Sequence, residues 1–144
     1  EAIKEVYKRG VNVRLITDDV CCKMLGSDIY DLARFGVPVK TDNSVKNQMH
    51  HKFAIIDNCV LITGSFNWTA KAVNQNQENI LILEDKDMAN RYTQEYNRMW
   101  EEFIYVSLPN IKGTSQIYSS PIVWMNILLF MILCIYLVPK LIIK

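Results

Sequence analysis

Apolar residues recur along the chain at two spacings, one helical and one alternating, and the switches between them mark out its elements. Ile3, Val6 and Tyr7 share one face of an opening helix that Gly10 is placed to stop. Residues 11–17 alternate and are rich in β-branched types, which predicts a strand closed by Asp18 and Asp19. Ser27 is placed to cap a short helix running to Phe35 and ended by Gly36. A second strand is expected at 37–40, where Pro38 would put it at a sheet edge. The polar stretch 41–48 reads as a loop leading into a strand at 49–56. Asp57 and Asn58 turn the chain back into a strand at 60–63, with Gly64 and Ser65 at its end. A buried strand at 78–83 follows, then a long amphipathic helix at 87–105 with Met88, Tyr92, Tyr96, Met99 and Phe103 near one face.

Alternating helices and strands predict an α/β fold in which helices cover a sheet, and the pattern leaves the strand order open. Within 49–56 the period of two puts His50, Lys52, Ala54 and Ile56 on one face and His51, Phe53 and Ile55 on the other. Residues 1–106 read as one domain, and 107–120, with Pro, Gly, Ser and Thr, as a linker. Residues 121–144 read as a hydrophobic segment in which Asn126 is the one strongly polar residue of 122–138. As a helix, 122–138 would span about 25 Å against a bilayer core of about 30 Å, with Leu141, Ile142 and Ile143 available to extend it. Trp124 and Tyr136 suit interfacial positions, so the favoured reading is a C-terminal membrane span with a short basic end. Two rivals stand: a buried or interfacial helix, and translated A/T-rich non-coding sequence.

Composition changes little in this picture. Half of the 144 residues are apolar, and the net charge of +1 removes any global argument for nucleic acid or anionic lipid, so attraction to phosphate must be local. Cys21, Cys22, Cys59 and Cys134 form no C-x-x-C pair, which fits reduced thiols facing the cytosol and predicts no metal site.

Chemistry is concentrated in one stretch. His50, Lys52 and Asp57, followed by Gly64, Ser65 and Asn67, spell H-x-K-x4-D-x6-G-S-x-N. Six residue types at fixed offsets arise by chance on the order of 10⁻⁸ times per start position. A neutral imidazole can act as nucleophile or proton carrier, while lysine and asparagine can neutralise or hydrogen-bond phosphate oxygens. The chain has two histidines, neighbours on opposite faces of one strand, so a two-histidine mechanism cannot be built within one copy. Ser65 and Asn67 also suit turns, and Asn67-Trp68-Thr69 matches a glycosylation sequon that a cytosol-facing protein would not use.

These residues resemble the H-K-D signature of the phospholipase D superfamily, and the stretch from Arg9 to Phe103 is similar to its single-motif branch. The resemblance implies a mixed sheet sandwiched by helices, with a further strand, helix and membrane anchor ahead of Glu1, so the sequence is expected to be incomplete. It implies a homodimer whose motifs meet across a two-fold axis. His50 would form a phosphohistidine, the second copy's histidine would act as general acid, and Lys52, Ser65 and Asn67 would hold phosphate oxygens. Glu78 would hydrogen-bond the histidine, Asp57 would order the motif, and no cofactor would be needed. It implies residence at the mitochondrial outer membrane facing the cytosol, and cleavage of single-stranded RNA in piRNA biogenesis or, alternatively, of cardiolipin to phosphatidate. Lys40, Lys46 and Lys71 could meet either polyanion. A catalytically silent, membrane-tethered scaffold is the reading from outside the enzymes.

Overall fold

The computed structural model describes residues 1–44 and 46–109. The expected hydrophobic span and nearly all of the expected linker lie outside the described residues. Among those described, no helix is long and apolar enough to cross a membrane.

The described residues fall into a short unit containing 1–13 and a larger one, 14–108. In the short unit α1 (Ala2–Lys8) ends as expected: the Gly10 N–H reaches the Tyr7 carbonyl at 2.9 Å and Gly10 takes a φ of +83°. None of its residues is buried. The larger unit runs β1 (Leu15–Thr17), α2 (Asp19–Cys22), α3 (Ile29–Phe35), β2 (Val39–Thr41), β3 (Phe53–Ile56), β4 (Val60–Gly64), α4 (Ala70–Asn74), β5 (Ile80–Glu84), α5 (Lys86–Glu102) and β6 (Ile104–Tyr105).

The fold is α/β, with the strands in two three-stranded sheets: β1-β2-β6 is mixed and β3-β4-β5 antiparallel. Parallel β1 and β2 need a crossover, which α2 and α3 supply. β2 lies in the middle of its sheet rather than at an edge, because Pro38 falls just before the strand and contributes only its carbonyl, to Leu15 N–H. The 49–56 strand is also shorter than its pattern suggests. Pairing starts at Phe53, opposite Thr63, and leaves His50, His51 and Lys52 outside the ladder. Asp57 and Asn58 make the expected turn, both at a φ of +51°.

β4 lies at the centre of the antiparallel sheet, and its Leu61 and Ile62 are buried while α5 packs across β3 and β4. Phe53 meets Tyr92 edge-on at 5.0 Å between ring centroids. α5 is capped by the Asp85 carboxylate, which accepts from the N–H groups of Asp87 and Met88, and it buries Ala89, Met99 and Trp100. β5 is not the buried strand that its run of Ile80, Leu81 and Ile82 suggests: these are 37%, 50% and 43% exposed, because among the described residues β5 pairs only with β4. Leu61, 1% exposed, carries the tightest part of this core. Leu61→Ala is expected to lower unfolding free energy by about 2–5 kcal/mol in chemical denaturation, with an unchanged far-UV spectrum.

Candidate active site

His50 and Lys52 sit on an extended segment just ahead of β3, held at both ends. At its start the Met49 N–H donates to Asp18 Oδ2 at 3.1 Å. Asp18 is 5% exposed, and its other oxygen caps α2 by accepting from Val20 and Cys21 N–H. At its end Thr63 Oγ1 donates to the Lys52 carbonyl at 3.3 Å. The Lys52 ammonium turns back to donate to the His50 carbonyl at 2.9 Å. His51 lies 5.9 Å from the Phe53 ring, on the α5 side.

Because Phe53 pairs with Thr63, Lys52 lies at the end of the hairpin where Gly64 and Ser65 leave β4. A Cβ on Gly64 would stand 2.2 Å from the Asn79 carbonyl oxygen, so only glycine lets the two backbones meet there. Ser65 N–H is shared between the Asn79 carbonyl at 3.1 Å and its side-chain Oδ1 at 3.2 Å, and Asn79 N–H returns a bond to Ser65 Oγ at 3.1 Å. The Ser65 hydroxyl donates to Glu78 Oε2 at 2.6 Å, and Asn76 Nδ2 donates to Oε1 at 2.8 Å. These two bonds, Ser65's first, with the Lys52 charge adding to them, hold the Glu78 carboxyl below the usual glutamate range.

The structure therefore gathers Lys52, Ser65 and Glu78 at the end of the hairpin that follows His50. Asn67 is exposed two residues beyond Ser65, its carbonyl accepting from Thr69 N–H. Asp57 stands at the other end of β3, about 16 Å from Lys52 along an extended strand, in the turn. Glu78 does not bond to the histidine in this arrangement; its oxygens are given to Ser65 and Asn76. Thr69 of the sequon caps α4 by accepting from Ala72 N–H. Lys40 is likewise committed, donating to the Trp100 carbonyl and lying over the Trp100 and Tyr105 rings, so it is not a free phosphate-tracking cation. Lys46 and Lys71 are exposed.

From the sequence Asp18 reads only as the end of a strand, and Asn76 and Asn79 carry no role. Asp18 could have been found as an Asp capping the short helix it precedes. The two asparagines resemble ordinary turn residues. Beside Asp18, the carboxylates of Asp19 and Asp42 complete a group whose oxygens lie within 4.8 Å and could hold a metal ion, a grouping the cysteine-based reading did not consider. Burial first, and then the Asp18 charge, raise the Cys21 thiol, while Lys52 opposes them; the Met49–Asp18 bond sets the start of α2 beside the motif.

The family model described as cardiolipin synthase, PLD-like domain, matches residues 1–100. The chain belongs to the phospholipase D-like family. The mitochondrial cardiolipin hydrolase of Canis lupus familiaris is 46% identical over 118 residues, which cover 79% of this chain and 46% of that protein. That of Homo sapiens is 44% identical over 102 residues, 71% of this chain and 40% of that one. The chain thus spans somewhat under half the length of these relatives. Among solved structures, the phospholipase D family member Nuc from Salmonella typhimurium gives a TM-score of 0.64 at 29% identity, covering 73% of this chain and 70% of that one. NucT from Helicobacter pylori gives 0.62 at 28% identity, covering 73% and 72%.

Two outcomes follow for the hairpin end of this family member. Gly64→Ala is expected to cost about 2–4 kcal/mol of stability in a denaturant titration, because the Asn79 carbonyl must move away. Ser65→Ala removes the main donor to Glu78, so the carboxyl titration followed by ¹³C NMR is expected to move up towards the ordinary glutamate value.

Proposed function

We propose that the chain is a metal-independent phosphodiester hydrolase working through a phosphohistidine, each active site being shared by two copies. The observation that supports it is the gathering of Lys52, Ser65 and Glu78 at the hairpin end next to His50. His51 lies against Phe53, so one copy offers a single imidazole, His50, to this site, and the second comes from a homodimer partner. His50 attacks phosphorus while the bond to the leaving oxygen breaks, and the partner's His50 gives that oxygen its proton. The partner's His50 then takes a proton from water, whose oxygen displaces the imidazole and frees the phosphate. Lys52 and Asn67 hold the non-bridging oxygens, Ser65 joins them when a phosphate draws its hydroxyl from Glu78, and Asp57 orders the β3–β4 turn. The donors present do the charge work, so the reaction needs no divalent ion.

The substrate we favour is an anionic phospholipid, with cardiolipin cleaved to phosphatidate. Val20, Met24 and Leu25 are 53%, 62% and 89% exposed on and after α2, whose cap Asp18 also holds the Met49 N–H, one residue before His50. An apolar rim beside a phosphate site suits acyl chains. Relatives named mitochondrial cardiolipin hydrolase support the same reading and a mitochondrial location; within it we place the protein at the outer membrane, with the domain facing the cytosol. Single-stranded RNA, cut in piRNA biogenesis, is the second reading, favoured by exposed Lys46 and Lys71 on either side of the motif.

Purified protein incubated in EDTA with cardiolipin vesicles and with 5′-labelled single-stranded RNA separates these readings. Vesicle cleavage and acid-quench labelling of His50 are expected, and His50→Ala or Lys52→Ala should lower turnover by about 10³-fold or more. Cleavage of RNA alone would move the assignment to the second reading. Cleavage of neither, or a strict need for added metal, would overturn the hydrolase mechanism, the former in favour of a tethered scaffold.

A further inference from the structure

We propose that Asn76 and Asn79, which lie outside the H-K-D and G-S-x-N pattern, are positioning residues for the phosphodiester reaction. The Asn79 backbone N–H fixes the Ser65 hydroxyl while its side-chain Oδ1 fastens the Ser65 N–H, and Asn76 holds Glu78 by one oxygen so that the other faces Ser65. The inference rests on the hydrolase reading and adds to it the part of the site that sets the orientation of these two groups.

The argument begins with hydrogen-bond capacity. A serine hydroxyl has one proton to donate and two lone pairs with which to accept. Here the proton goes to Glu78 Oε2 at 2.6 Å, and one lone pair is taken by Asn79 N–H at 3.1 Å. The backbone of Ser65 is fastened to the same residue by a shared bond to the Asn79 carbonyl and Oδ1. Rotation of the hydroxyl about its Cα–Cβ bond would therefore break a bond to Asn79.

Glu78 would be free to turn about its three side-chain torsions if Ser65 were its sole contact. It is exposed enough for water to compete for both oxygens, and single exposed pairs of this kind hold a side chain weakly. The second donor, Asn76 Nδ2 at 2.8 Å, changes this by engaging Oε1 and so defining the carboxylate plane. Lys52 contributes attraction without a direct bond, which makes the angle of the carboxylate depend on Asn76. When a phosphate draws the Ser65 hydroxyl away, Asn76 is the remaining donor keeping Glu78 in place. Its released oxygen is then available to an imidazole N–H.

The test compares Asn76→Ala, Asn76→Asp and Asn79→Ala with wild type. Asn74→Ala serves as control, since the Asn74 amide donates to the Ala70 carbonyl within α4 and not to the site. Turnover of bis(4-nitrophenyl) phosphate, thermal melting and the Glu78 carboxyl titration by ¹³C NMR are read on the full chain. Asn76→Ala is expected to lower kcat about tenfold with KM within twofold, an unchanged melt and a Glu78 titration moved to higher pH. Asn76→Asp should lose more, because it sets a like charge against Glu78, and Asn76→Gln should recover part of the loss. Asn79→Ala keeps the backbone N–H that holds the Ser65 hydroxyl and removes only the Oδ1 contact to Ser65 N–H, so it should lower kcat less than Asn76→Ala. Wild-type kcat and an unmoved Glu78 titration in Asn76→Ala would overturn the proposal, as would an equal loss in Asn74→Ala. If wild type hydrolyses no phosphodiester at all, the hydrolase reading fails, and the titration still decides whether Asn76 holds Glu78.

Discussion

The close approach of Gly64 to Asn79 is the constraint on which the candidate site depends. With a Cβ at Gly64, the end of β4 and the turn before β5 would be pushed apart, and none of the bonds between Ser65 and Asn79 could form at its present length. Those bonds set where the Ser65 hydroxyl points, and the hydroxyl in turn sets one oxygen of Glu78. Lys52 reaches the same place from the neighbouring strand, because β3 and β4 pair in a register fixed by the three-residue turn Asp57, Asn58 and Cys59. The arrangement is thus built by backbone geometry first and side-chain chemistry second. Asp57, at the far end of the hairpin, contributes through register.

A second contact holds the two sheets in relation to one another. Arg14, just before β1, lies over the Tyr96 and Trp100 rings at 5.2 and 5.1 Å, and Lys40 on β2 lies over Trp100 and Tyr105 at 5.1 and 5.0 Å. Tyr96 and Trp100 belong to α5, which packs on β3 and β4, so the cations join the mixed sheet to the helix covering the antiparallel one. Cation–π contacts contribute about 0.5–2 kcal/mol each, rising with desolvation, and Trp100 is 7% exposed. The connection uses up two positive charges that a view of composition alone would count as surface.

What could be read from the sequence depended on whether a feature is carried by residue type at fixed spacing or by tertiary contact. The H-K-D and G-S-x-N residues stood out because their chemistry and offsets are unusual together, and His51 beside Phe53 follows from the alternation. Gly36 as a left-handed helix end and Asp57-Asn58 as a turn were legible for the same local reason. Tertiary context decided the rest. Pro38 pointed to an edge, yet β2 is central because the proline falls before its first paired residue. Ile80, Leu81 and Ile82 suggested burial, yet no second neighbour among the described residues covers them. α2, α4 and β6 are too short for any periodicity to register. Asn76 and Asn79 carry no signal distinct from turn asparagines; their role exists only once Ser65 and Glu78 are brought beside them.

The electrostatics of this arrangement bear on how a phosphate is recognised. With 16 basic and 15 acidic residues there is no global field to gather a polyanion, and Lys40 is already engaged by aromatic rings. Near Lys52 stand Glu78 on one side and, through α2, the Asp18, Asp19 and Asp42 group, whose charge opposes an approaching anion at long range. On the mechanism proposed above, affinity would come from short-range donors acting after arrival: the Lys52 ammonium, the Asn67 amide and the Ser65 hydroxyl. A substrate already concentrated on a surface loses little by the absence of steering, whereas a dilute polyanion loses the rate that steering supplies. The carboxylate that opposes approach also has a use at close range. On the same proposal, a Glu78 held by Asn76 would take up the positive charge of an imidazole as it forms, so the group that weakens ground-state binding of phosphate would stabilise the charged state that follows.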